Sequence, residues 1–199
     1  VAASRIFKIV YDFKREAVAY LDPTSNPSVG GVFCPSGKIF IGAKNMLEPN
    51  RKLEVFGVIA HELTHYAMYL VYNNWANPYA GNDKNKEERF AEIIEECRRL
   101  RGEEEIVDLV FDAYDEDLWP AELIVRVPHM MAHYHDKPLI LAQKRKVFAS
   151  LFNFYEQNCL PEIENALPKI KKKFQSEKEK KIQKQKKLLI YGALISVVA

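Results

Sequence analysis

His61-Glu62-Leu63-Thr64-His65 is the stretch of this chain whose residue types and spacing could do chemistry. On a helix, residues four apart lie one above the other on a single face, so both imidazoles can reach one metal ion. Glu62 is turned about 100° away from His61 along a 3.6-residue helix. That makes it a poor third ligand. It stands instead beside the open coordination position, where a carboxylate serves as general base toward water. Val58, Ile59, Ala60, Leu63 and Met68 give the pair an apolar setting. The chemistry this predicts is hydrolysis by an activated water, with Zn2+ as cofactor.

A catalytic zinc takes three protein ligands and leaves the fourth place to water. An extended motif with a third histidine would need glycine at position 68 and histidine at 71, but Met68 and Val71 stand there. The reversed order H-x-x-E-H is absent from the sequence too. A carboxylate on a later helix remains, and Glu88-Arg89-Phe90-Ala91-Glu92 supplies one. Glu88 is the expected ligand, with Glu92, Glu87 and Glu95 as alternatives. Glu92, one turn beyond Glu88, can otherwise accept the free ring N–H of His61 and so fix its tautomer.

Taken together, His61-Glu-Leu-Thr-His65 and Glu88-x-x-Ala-Glu92 resemble the zincin metallopeptidases, in particular the gluzincin branch that includes thermolysin-like enzymes. The resemblance spans about Ile39 to Glu95. It implies that His61, His65 and Glu88 bind zinc, that Glu62 activates water, and that Glu92 supports the ligands from behind. It also implies a substrate-aligning strand before the active-site helix, for which Lys38 to Lys44 is the counterpart. Gluzincins often stabilise the oxyanion with a His or Tyr from further along the chain. Here Arg126-Val-Pro-His129-Met-Met-Ala-His133-Tyr134-His135 is the stretch that could do so, with His129 and Tyr134 as the expected residues. The substrate implied is a peptide or protein. The competing class is a zincin-fold binding or docking module without peptidase activity.

The elements that must position these residues are mostly helical. Helices are predicted over Ile6 to Leu21, Arg51 to Asn73, Lys86 to Leu100 (capped by Asp83 or Asn85), Glu103 to Tyr114 and Ala121 to Tyr134, the last interrupted at Pro128. Two more cover Ala142 to Asn158 and Ile163 onward. Gly31 to Cys34 and Lys38 to Gly42 flank Pro35-Ser36-Gly37 and read as a hairpin. Phe148, Phe152, Phe154 and Tyr155, at helical spacing, read as core. The fold class expected is therefore mainly α, or α+β: a zincin-like helical domain with a small N-terminal β-hairpin or sheet before the active-site helix.

Composition agrees. With 48% apolar residues in 199, a core can be buried and global disorder is excluded. Three widely spaced cysteines exclude both a disulfide-stapled mini-fold and a C-x-x-C metal clip. They favour a reducing, intracellular setting. The net charge of +2 hides an asymmetry: residues 169–187 carry ten lysines against Glu177 and Glu179, and the rest of the chain is acidic. The expected organisation is a domain over residues 1–168, a lysine-rich stalk over 169–187 and an apolar segment over 188–199. The last segment reads either as a frayed amphipathic end or as the beginning of a membrane anchor, since about 20 apolar residues are needed to span a bilayer. In the second case the lysines hold the domain on the cytosolic face, at a membrane surface. No aromatic platform accompanies the lysines, so nucleic acid is the weaker partner.

Overall fold

A helix that is apolar over most of its circumference buries most of its surface, and Lys52–Val71 is such a segment. In the computed structural model it forms α1, with every residue from His61 to Met68 buried. The structure describes residues 18–21, 31–34, 38–42, 52–72, 74–81, 83–166 and the single positions 168, 172, 176 and 180. The stalk beyond those positions, the 188–199 segment and the first 17 residues lie outside the described residues. No helix among the described residues is long and apolar enough to cross a membrane.

Three strands precede α1: β1 (Val18–Leu21), β2 (Gly31–Cys34) and β3 (Lys38–Gly42). The expected hairpin is present, with β2 and β3 antiparallel and Cys34 opposite Lys38. Two expectations are corrected here. Val18–Leu21 is a strand rather than the end of a helix, because it pairs in parallel with β3, Val18 opposite Ile39. Pairing with a distant segment overrides local periodicity. The sheet order β1-β3-β2 then makes β3 the central strand, so the segment expected to align a substrate has both edges occupied.

Helix α2 (Lys84–Arg98) begins at Asp83, whose carboxylate accepts the Lys86 N–H at 3.1 Å. Its apolar stripe is Phe90, Ile93 and Cys97, and the opposite face is charged. Helix α3 (Glu105–Ala113) buries Val107, Val110 and Phe111. A short 3-10 turn, Glu116–Leu118, leads into α4 (Trp119–His133). Pro120 occupies the first turn, where a missing N–H costs nothing. Pro128 was expected to interrupt this helix, and it does not: α4 runs through it. Nearly all of Pro120 to Met130 is buried, and that packing offsets the lost backbone bond.

The stretch expected as one helix from Ala142 is divided into α5 (Pro138–Val147) and α6 (Ala149–Phe154), followed by a π-helical turn over Tyr155–Cys159. Phe148, Phe152, Phe154 and Tyr155 are all in the core, as their spacing predicts. That core lies between α1, α2, α3, α4 and α6 and includes Met68, Phe90, Ile93, Leu123 and Leu151. At one side of it the Tyr79 hydroxyl meets Cys159 Sγ at 2.9 Å, and Tyr72 donates to Glu162. The chain is a mainly helical fold with a small three-stranded sheet. The most extensive helix pair in it is α1 with α4.

Candidate metal centre

Two glycines allow α1 its neighbours. A Cβ on Gly31, at the start of β2, would lie 2.7 Å from Val58 Cγ1 and 2.9 Å from Glu62 Cγ. A Cβ on Gly57 would lie 2.9 Å from His129 Nε2. The sheet therefore lies directly over Glu62, and the C-terminal half of α4 presses against the first half of α1.

Between these helices His61 and His65 bring their Nε2 atoms to 3.2 Å of each other. The carboxylate that meets them is Glu122, from the first turn of α4. Its Oε1 is 3.1 Å from His65 Nε2, and its Oε2 is 3.4 Å from His61 Nε2. All three side chains are buried, and their ligand atoms lie within 4.8 Å of one another. Among the described residues no other group of His, Cys, Asp and Glu side chains is gathered closely enough to hold an ion.

This corrects the expected ligand set. The Glu88 carboxylate is 66% exposed and pairs with Lys84 at 3.6 Å. Glu92 is 64% exposed and pairs with Arg89 at 2.6 Å, so it supports no histidine; His61 Nδ1 has no hydrogen-bond partner among the described residues. Glu87 accepts the Gly81 N–H, and Glu95 pairs with Arg98. The physical reason is the stripe of α2: Phe90, Ile93 and Cys97 face the core, which turns its glutamates to solvent.

Glu62 is where the motif predicts. It is buried, with Oε1 3.9 Å from His61 Nε2, near the ligand atoms but not one of them. His129 also comes to the site, its ring edge-on to His61 with centroids 5.9 Å apart. Tyr134 does not; its ring neighbour is His133, at 4.5 Å. Tyr114 reaches the site instead, with its hydroxyl hydrogen-bonded to Glu122. Burial, with the charges of Glu122 and Glu62 adding to it, pushes its hydroxyl up to about 12, and Arg126 opposes them.

The electrostatics suit a cation. Burial pushes the Glu122 carboxyl up, but the two histidines outweigh it and hold it below the usual carboxylate range. Burial is also the main reason His61 titrates well below its ordinary value; the Arg126 and His65 charges act in the same direction and Glu122 against it. His129 is lowered to about 3 by burial, Arg126 and His133. His61 thus stays neutral near pH 7, the form a metal requires. Two imidazole nitrogens and one carboxylate oxygen, buried together, are a donor set that could hold a divalent metal ion.

Glu122, Arg126 and Tyr114 were not singled out by the motif. The signal was nevertheless present: from Trp119 to Met131 the only polar side chains are Glu122, Arg126 and His129. Charges spaced four apart in an otherwise apolar helix face a buried partner, not solvent. No protein-family model, curated protein or solved structure matches the chain.

Proposed function

We propose that the protein is a zinc metallopeptidase of zincin type, with His61, His65 and Glu122 as ligands and Glu62 as general base. The observation that carries this reading is the buried carboxylate of Glu122 facing both histidines of an H-E-x-x-H helix. A zinc ion bound there would polarise the scissile carbonyl and lower the pKa of water toward neutrality.

The chain's own residues supply the rest. Glu62, kept from bulk solvent beneath Gly31, takes a proton from the attacking water and delivers it to the leaving nitrogen. Tyr114 keeps its proton at neutral pH and donates it in a hydrogen bond to Glu122, which helps hold that carboxylate in place. His129, uncharged at that pH, has one ring N–H to offer in the same region.

The test is Glu62→Gln. Peptide cleavage by the purified chain should fall on the order of 10²–10⁴-fold, the usual contribution of a positioned general base. Zinc content should stay near the wild-type value. Equal cleavage by the variant would overturn the mechanism. Stoichiometric zinc in a wild type that cleaves no peptide would instead leave a metal-holding docking module.

A further inference from the structure

Arg126 is a buried cation whose needs are not met by its neighbours. It lies one turn beyond Glu122 on α4 and keeps only 6% of its surface. Its ion pair among the described residues is to Glu122 Oε2, at 3.9 Å, beyond hydrogen-bond reach. Its Nε has no hydrogen-bond partner there either. A guanidinium stays charged at any physiological pH, and a buried charge persists where an opposite charge meets it.

Glu122 cannot be that charge and a metal ligand in full. Both of its oxygens are turned to the histidines. His129 beside Arg126 is an imidazole, not an anion. If a divalent cation is held by His61, His65 and Glu122, then among the described residues Arg126 and that cation outweigh the carboxylates of Glu62 and Glu122 by one positive charge. One further negative charge next to Arg126 balances that count.

We infer that Arg126 receives a carboxylate of the substrate beside the scissile bond, so that the site selects peptides by a negative group close to the point of cleavage. The inference rests on the metallopeptidase reading for its substrate, but not for its anion site. A planar guanidinium is matched to a carboxylate by shape as well as by charge. Two sources of that carboxylate exist: the free C-terminus of a peptide, or an acidic side chain next to the cleaved bond.

Binding separates the anion site from catalysis. Calorimetric titration of the full chain, zinc-loaded and metal-free, uses 3-phenylpropanoate and its uncharged amide. The acid should bind at least about tenfold more tightly than the amide, as expected when a buried charge is matched in one ligand and not in the other. Arg126→Met should remove that preference. Should Arg126→Met fail to fold by circular dichroism, Arg126→Lys decides: it should retain a weaker preference, because the charge is kept and the fork is lost. Acid and amide binding alike in the wild type, or an acid preference undiminished in the variants, overturns the proposal. Cleavage then names the source. Three peptides of one sequence are compared: with a free C-terminus, with an amidated end, and amidated with a terminal glutamate. Preference for the first identifies the chain terminus, and equal preference for the first and third a side-chain carboxylate. Absence of all cleavage with the acid preference intact overturns the peptidase reading and not the anion site.

Discussion

His65 on α1 and Glu122 on α4, far apart in sequence, meet with Nε2 and Oε1 3.1 Å apart. Neither residue has enough exposed surface for the contact to be a chance surface pairing. The contact defines which carboxylate completes the histidine motif, and a comparison of two glutamates checks it directly. Glu122→Gln should weaken zinc binding by more than the 10–100-fold typical of losing a mere supporting group. Glu88→Gln should leave zinc affinity within about twofold, since exposed pairs such as Lys84–Glu88 contribute little. Competition titration with a chromophoric chelator measures both.

A second expectation concerns the glycine above the base. Gly31→Ala places a methyl group against Val58, whose branched side chain has little freedom, and against Glu62. The sheet must shift or Glu62 must turn away. Stability should fall by about 1–3 kcal/mol, the usual range for overfilling a close contact. Peptide cleavage should fall further than zinc affinity, because the ligands are untouched. Thermal unfolding and a zinc assay on the same sample separate the two effects.

Acid should destabilise the metal-free protein well before its carboxylates titrate. His129 takes up its proton near pH 6.5 when unfolded but only near pH 3 when folded, and His61 is lowered as well. Below pH 6.5 the unfolded state therefore binds more protons, and stability falls as the pH falls. Glu122, lowered in the fold, adds its own loss only below about 4.5. Between pH 6.5 and 5 the lowered values of His129 and His61 set this trend. His129→Gln should make the slope in that window shallower by up to about 1 kcal/mol per pH unit. Urea denaturation at several pH values reads the slope.

What the sequence discloses here follows the range of the forces involved. The helix start near Asp83 or Asn85, the hairpin at residues 31–42, the aromatic core positions and the H-E-x-x-H helix depend on neighbours a few residues away, and all are legible in the sequence. Val18–Leu21 was not, because its strand character comes from pairing with β3. Pro128 was misread for a similar reason: its local penalty is fixed, while the packing that outweighs it comes from other helices. Glu88 is the instructive case. Nearness in sequence and a family-like spacing favoured it, yet Phe90, Ile93 and Cys97 determine which way α2 faces. Glu122 and Arg126 stand out only when the apolar run around them is read as a buried helix that must have a reason for its charges.

Because the carboxylate that meets His61 and His65 comes from α4, possession of the pentapeptide does not amount to possession of the cluster. A proteolytic fragment ending before Trp119 would keep His61, Glu62 and His65 and have no acid to close around an ion. Any splice form, truncation or distant homologue of this chain is therefore better judged by its Glu122 segment than by its histidines.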